Sequence, residues 1–434
     1  MKVVITDHHE VPFEENQGAR QEILPLADAI VNPKQERCTY PFKNICGAVV
    51  AYKVISALGE KSGYPELGQL LVDLLPFVAM ATICDVMELK DENRILVKEG
   101  LKQIQFSTNC GLRALFEVNN IELSKANAYH LGFVIGPCLN ATGRLDTAYR
   151  ALEVLQSKTK AEAMVAATEL KELNDSRKNL TLAGVEEAER LIQEQELYND
   201  KVMVIYLPQV HESLAGIIAG RIREKYHHPV FVLTDGEEGI KGSGRSIDAY
   251  HMYESMIQVK EYFSKFGGHK LAAGLSLQNE DVEAFRRTIN EASVLKEEDF
   301  VPVIHIDVPM PLGYAGFELV KQLQQLEPFG IGNPKPLFAQ KDVLFVGAKR
   351  IGATGNYAKF TVLLLDNGLE KREELMYFGD IEQFCRFLNH KYGDNSAEKL
   401  FAGNGRFQVS ITYQAGINSY RGRENIQFIM QNYC

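Results

Sequence analysis

From residue 159 to 196 the sequence holds no proline and a single glycine, Gly184. Apolar residues recur at Met164, Ala167, Leu170 and Leu173, then at Leu180, Val185, Ala188 and Leu191, the spacing of one buried stripe on a helix. A helix that long predicts a bridge between two bodies rather than one element of a small core. Asn174, Arg177 and Lys178 lie close together on it. A solvated face accounts for Lys178; Arg177 is carried forward as a nucleic-acid contact.

Before the bridge, the chain opens on the β-branched run Val3-Val4-Ile5 and then Asp7-His8-His9. A short apolar run ending in an acid and two imidazoles reads as a strand delivering ligands at its C-terminal end, where open α/β sheets place their sites. Carboxylate oxygen with imidazole nitrogen suits Mn²⁺, Fe²⁺ or Zn²⁺, and Mg²⁺ less well. Residues 10–20 read as a polar loop, 47–58 and 91–104 as helices, and 70–87 as a strongly apolar, buried helix running into Cys84-Asp85-Val86. Asp85 is a further carboxylate at the end of an apolar element, with a plain cap as the alternative. The run 136–144 is rich in small residues and ends on Asn140 and Arg144. Small residues permit close backbone approach, and an arginine there can grip a phosphate with two hydrogen bonds. The alternative is a tight turn with a surface arginine.

After the bridge a second α/β unit is expected, with strands at 202–207 and 229–234 and a helix over 214–226. His211 precedes that helix. Gly242-Ser243-Gly244-Arg245-Ser246 reads as a glycine-flanked turn, and Gly267-Gly268-His269 closes the unit. A lone histidine is usually structural. His211, Arg245 and His269 together, with Ser246, suit a phosphodiester. In the last third, short alternating runs at 337–347, 359–365, 374–378, 407–413 and 426–430 predict a small β-barrel. Tyr357, Lys359, Phe360, Tyr413, Tyr420, Arg421 and Arg423 interleave aromatic and basic groups, as single-strand platforms do, although core or rim positions look the same.

The 434 residues suffice for two to four domains, with 45% hydrophobic and 24% charged residues, ordinary for a globular protein. No signal peptide is visible, and no run matches the roughly 20 apolar residues of a membrane span. Seven cysteines without a Cys-x-x-Cys pair suggest reduced thiols and a cytoplasmic location. A net charge of −10 argues against coating nucleic acid through bulk charge, though not against a nuclease, whose carboxylates bind metal. With no tryptophan, base stacking falls to Tyr, Phe or Arg.

Seven motifs stand in one order: Thr-Asp-His-His; Cys-Asp-Val-Met with Glu92-Asn93-Arg94; Asn-Ala-x-Gly-Arg; His-Glu-Ser-Leu-x-Gly-Ile; Gly-Ser-x-Arg-Ser; Gly-Gly-His-x-x-Ala-Ala-Gly; and Pro-Phe-Gly-x-Gly-Asn-Pro. In that order they resemble the RecJ family of single-strand-specific DNA exonucleases, within the DHH phosphoesterase superfamily. The resemblance implies an α/β fold: a partial DHH parallel-sheet domain (1–157), a connecting helix (158–197), a DHH-associated α/β domain (198–300) and a C-terminal OB-like β-barrel (301–434). It implies 5′→3′ hydrolysis of single-stranded DNA to mononucleotides, in repair and recombination, with Mn²⁺ or Mg²⁺. By the same resemblance His8 and Asp85 bind metal, His9 contacts the scissile phosphate and Asp7 orients the pair, while Arg144, Arg245 and His269 hold DNA phosphates. Single-stranded DNA is then the partner, with a single-strand-binding protein or a helicase as candidate protein partners, no membrane role, and the oligomeric state left open.

The family also carries an Asp-x-Asp-Gly after a strand and a further lone Asp, and neither precedes the tripeptide here. A two-metal cluster needs several bridging and terminal carboxylates. The expectation is an N-terminally truncated member, with an incomplete two-metal site, an exposed sheet edge and no activity as given. Two other readings compete: a non-catalytic single-strand-binding scaffold, and a DHH phosphodiesterase of short oligonucleotides.

Overall fold

The computed structural model describes all residues except 17, 18, 146, 238, 353, 354, 367, 368 and 421; side chains at 15, 16, 19, 20, 142, 144, 145, 365, 366, 369 and 420 are also outside the description. The chain forms two compact units, one of Met1–Gly100 with Ile304–Cys434, the other of Leu101–Val303.

In the first unit, Val4–Thr6 pairs in parallel with Ala29–Val31, Ile5 facing Ile30. The pair is thinly covered, with Val4 61% exposed. Residues expected as a loop instead form a hairpin, Phe13–Asn16 with Ala19–Glu22. Its run of charged residues masks the alternation that would have marked strands. The Gly47–Ser62 helix ends on Gly63 in the left-handed region (φ 64°), whose N–H donates to Glu60 O while the Tyr64 N–H donates to Gly59 O, a standard glycine stop. It packs on the Leu67–Cys84 helix through Val49, Val50 and Val78. That second helix was expected to be buried. It is 28% buried and, by length and composition alone, long and apolar enough to cross a membrane. The Asp91–Ile104 helix follows where the apolar spacing put it.

The C-terminal part of this unit is an OB-like barrel. Strands Phe338–Ile351, Tyr357–Asp366, Leu369–Tyr377, Arg423–Tyr433 and Phe407–Tyr420 lie side by side in that order, and the first and last pair to close it. The Ile381–Tyr392 helix, capped by Asp380 accepting from the Glu382 and Gln383 N–H groups, plugs the barrel with Phe384. Alternation sends Phe345, Phe360 and Tyr413 inward, each fully buried. Phe360 and Tyr413 are therefore core residues, not members of a stacking platform.

In the second unit the long helix spans Lys160–Glu194. Thr159 Oγ1 accepts the Glu162 N–H and Glu162 accepts the Thr159 N–H, a complete capping box that fixes where it starts. Its first half buries Ala163, Ala167 and Leu170, and its second half buries Ala188 and Ile192 against the sheet layer that follows. Gly184 is the crossing point: a Cβ there would come within 2.5 Å of Ile218 Cδ1. The sheet order is Met203–Tyr206, Val230–Gly236, Gly239–Arg245, Ala272–Leu277, Phe263–His269, parallel in the first pair and antiparallel after it. Successive residues alternate faces. Met203, Ile205, Val230 and Val232 pack with the Glu212–Tyr226 helix, and Val204, Phe231 and Leu233 with Phe285 of the Val282–Ala292 helix. One expected turn, and a second offered as an alternative, are regular elements. Residues 136–144 belong to the Gly136–Leu145 helix, and Gly242–Arg245 is the end of a strand. In both, tertiary packing overrides the breaker reading of glycine.

Candidate metal centre and phosphate-binding residues

The first strand gives its last ladder bond at Asp7, whose N–H donates to Val31 O at 3.0 Å. There the chain turns on the Asp7 carboxylate. Oδ1 accepts the His8 N–H (2.7 Å), the His9 N–H (3.3 Å) and His9 Nδ1 (2.7 Å). The His9 bond is the largest reason why the Asp7 carboxyl stays below its ordinary value, since a carboxylate that accepts several hydrogen bonds is stabilised in its charged form. Asn32, 6% exposed, donates to His9 O at 2.9 Å and holds the corner from the neighbouring strand.

His8 turns inward, and its Nε2 lies 3.5 Å from Asp85 Oδ2. The ring sits beside the helix start at Gly47, where a Cβ would be 3.4 Å from His8 Cδ2. Asp85 comes from the opposite side, as the C-cap of the Leu67–Cys84 helix, and Val86 after it takes a left-handed φ of 57°. Among the described residues, Asp7, His8 and His9 each offer a ligand atom within 4.8 Å of one another. A nitrogen and a carboxylate oxygen facing each other across a short gap fit one divalent ion by donor chemistry. His9, with Nδ1 bonded to Asp7 and the side chain 77% exposed, points its far edge to solvent.

The phosphate candidates lie in the second unit. The Arg245 guanidinium donates from Nη1 to Gly244 O (2.7 Å) and Ser243 Oγ (3.3 Å). It runs along the Glu212–Tyr226 helix at Gly216, where a Cβ would be 2.8 Å from both Arg245 Nη2 and Ser243 Oγ. His211 is the N-cap of that helix, its Nδ1 accepting the Ser213 N–H and lying 2.8 Å from Ser213 Oγ. His269 is exposed, with Nδ1 accepting the Leu271 N–H at 3.3 Å. Ser246 is 5% exposed and donates to Tyr250 O at 2.8 Å, so its hydroxyl braces the turn after the strand. Asn140 is exposed on its helix, Arg177 is half-buried beside buried Asn174, and the Arg144 side chain lies outside the described residues.

On the barrel, Tyr357 is 42% exposed and meets Phe378, 49% exposed, edge to face at 5.4 Å. Lys359 is paired with Glu374 at 2.7 Å, and Arg421 lies outside the described residues. Asn32, Gly47 and Phe378 were not singled out in the sequence, and Gly216 entered only as the glycine of the His-Glu-Ser-Leu-x-Gly-Ile motif, without a role of its own. For Phe378 alone a signal existed: in an alternating strand, an inward Tyr377 makes its neighbour face out.

An imidazole–carboxylate corner at a strand end, a second α/β sheet and a terminal OB-like barrel together define a DHH-type protein. Residues 199–294 match the DHHA1 domain and residues 306–432 the RecJ OB domain. The chain is 31% identical over 449 residues to the single-stranded-DNA-specific exonuclease RecJ of Haemophilus influenzae, covering 99% of this chain and 73% of that protein. It is 35% identical over 366 residues to RecJ of Bacillus subtilis, covering 83% of this chain and 44% of that protein. RecJ of Thermus thermophilus, solved in complex with Mn²⁺, superposes with a TM-score of 0.76 at 26% identity, over 100% of this chain and 58% of that one. The chain belongs to the RecJ family. It spans between about half and three quarters of the relatives it matches.

Proposed function

We propose that the chain carries the metal-binding corner and DNA-holding surfaces of a divalent-metal-dependent phosphodiesterase acting on single-stranded DNA. The observation that supports it most directly is the 3.5 Å approach of His8 Nε2 to Asp85 Oδ2 at the end of a parallel strand. His8 and Asp85 would hold Mn²⁺ or Mg²⁺. Such an ion supplies an activated water and stabilises charge on the phosphate. Asp7 orients the pair by fixing both histidine N–H groups, and His9 presents its free ring edge to the scissile phosphate. Arg245, His269, His211 and Arg144 engage DNA phosphates, where arginine offers a two-bond grip, while Tyr357 stacks a base. The domain limits read from the sequence (1–157, 158–197, 198–300, 301–434), 5′→3′ polarity, mononucleotide products and action in the cytoplasm belong to the same proposal.

One imidazole and one facing carboxylate are a small ligand set for a two-metal reaction, so little or no turnover by this chain alone is part of the reading. That sparse set also favours the scaffold alternative, which keeps salt-dependent DNA binding and lacks cleavage. The deciding experiment follows Mn²⁺-dependent release of nucleotides from an end-labelled single strand. Release abolished by His8→Ala, with DNA affinity retained, supports the enzyme. Metal-independent binding with no release at any Mn²⁺ concentration supports the scaffold.

A further inference from the structure

Glu92-Asn93-Arg94 and Pro328-Phe329-Gly330-Ile331-Gly332-Asn333-Pro334 are left without a role by the site described above, and within the first unit they meet. Arg94 Nη2 donates to three successive carbonyls of the later segment, Gln325 O (3.1 Å), Leu326 O (3.0 Å) and Glu327 O (3.4 Å). Asn333 Nδ2 closes the same loop from within, donating to Leu326 O (2.8 Å) and Pro328 O (2.9 Å). Gly330 and Asn333 bridge each other, and the Leu89 N–H donates to Ile331 O at 2.7 Å.

The fit is close. A Cβ on Gly330 would lie 2.7 Å from Leu89 Cδ1, and one on Gly332 (φ 75°) 3.0 Å from Lys90 Cε and 3.1 Å from Glu88 Cβ. Of the other two residues of the first motif, Asn93 holds the same stretch from the inside and Glu92 ties the helix start to its neighbours. Asn93, fully buried, donates to Glu88 O (3.0 Å) and Asn44 O (2.7 Å). Glu92 accepts from Lys53 and from the Tyr40 hydroxyl.

What these contacts fix is the irregular link between Cys84 and Asp91, which carries Asp85. On its N-terminal side Asp85 is tied to the helix, its N–H donating to Ala81 O at 2.9 Å. On the C-terminal side left-handed Val86 and then Met87 still donate to Ile83 O (3.1 Å) and Thr82 O (3.1 Å) of that helix, but Glu88 to Lys90 have no helix to hold them until Asp91. The clamp on Glu88 and Leu89 supplies that second anchor. We infer that Arg94, gripping the 325–333 loop, is a positioning residue for Asp85: the two motifs form one clamp that sets the carboxylate opposite His8. This rests on the metal role proposed for His8 and Asp85. Neighbours of ligands that orient them without touching the ion change metal affinity typically 10–100-fold when removed.

The test compares wild type, Arg94→Ala, Arg94→Lys and Asn333→Asp in the full chain. Hydrogen exchange in metal-free protein is read at the 86–89 amides, and Mn²⁺ affinity by electron paramagnetic resonance. Leu89 should exchange at least about tenfold faster in Arg94→Ala and Asn333→Asp, with Mn²⁺ bound about tenfold more weakly. Barrel strands and the Gly47–Ser62 helix should keep wild-type rates, and Arg94→Lys should recover part of the loss. Unchanged 86–89 rates, or acceleration spread equally through the barrel, overturn the inference. The His8→Ala control separates the two ideas. If it binds Mn²⁺ as wild type does, the metal reading fails and Arg94's role toward the ion with it, while the exchange data still decide whether the clamp fixes the loop.

Discussion

At the scale of single residues, the second unit turns on what Gly216 lacks. Its missing side chain is the space that Arg245 and Ser243 fill, each with an atom 2.8 Å from where a Cβ would stand. Gly216→Ala should therefore push the guanidinium off the helix while leaving the helix itself intact, since alanine is the better helix former. Plotted against the logarithm of salt concentration, single-strand affinity should lose about one unit of slope, the signature of one phosphate contact, and Arg245→Ala should give the same slope. Equal slopes in wild type and Gly216→Ala would refute the arrangement. Residue chemistry was legible where it lay in one short stretch, as in Asp7-His8-His9. It was illegible where a side chain's use depends on burial. Ser246 looks like a phosphate ligand beside Arg245, and only its depth beneath the Tyr250 carbonyl shows where its hydrogen bond goes.

At the scale of elements, periodicity served where one packing face persists. It placed the Asp91–Ile104 and Lys160–Glu194 helices nearly to the residue. It failed at the Gly136–Leu145 helix and the Gly239–Arg245 strand, because neighbouring elements supply the order that glycine-rich sequence alone discourages. The connection after the Glu212–Tyr226 helix carries a pH response. His228 stacks on Phe300 with centroids 4.1 Å apart, and its Nδ1 donates to Tyr226 O at 2.6 Å. Burial, the largest cause, lowers its pKa below the ordinary histidine value, with nearby His227 acting in the same direction and the Tyr226 carbonyl and Glu297 opposing. The unfolded chain thus takes up this proton at higher pH than the folded one. The stability it contributes is present above the unfolded value and is lost as pH falls through that value toward the folded one. Melting temperature should drop less between pH 7.5 and 5.5 in His228→Phe than in wild type; parallel pH curves would refute this.

At the scale of the whole molecule, the two units differ in how the chain builds them. The second is continuous, Leu101–Val303, and holds two hydrophobic clusters on the two faces of one sheet. The first is assembled from both ends of the sequence, and among the described residues its leading hundred have two separate two-stranded sheets and the small Ile45–Val78 cluster of their own. Residues 101–303 expressed alone should therefore melt cooperatively, whereas residues 1–100 alone should show no protected amides after brief exchange; protection in the latter would overturn the assignment. This pairing could not be read from the sequence. The contacts that carry it, such as Arg94 to the Leu326 carbonyl 232 residues away, use a side chain on one partner and bare backbone on the other, and leave no periodic trace.

The split assembly sets a timetable for synthesis. The strand that leads to Asp7 and the helix that Asp85 caps are translated before the Leu101–Val303 unit, and the loop that clamps the link after Asp85 is translated only after it. At roughly 5–20 residues per second, that is a wait of about 10–40 s. Throughout it Arg94 and the Leu89 N–H stand without the carbonyls they hold in the folded chain. During those seconds the nascent chain is most open to chaperones and proteases, and a clamp mutation would lengthen the exposure by slowing its last step.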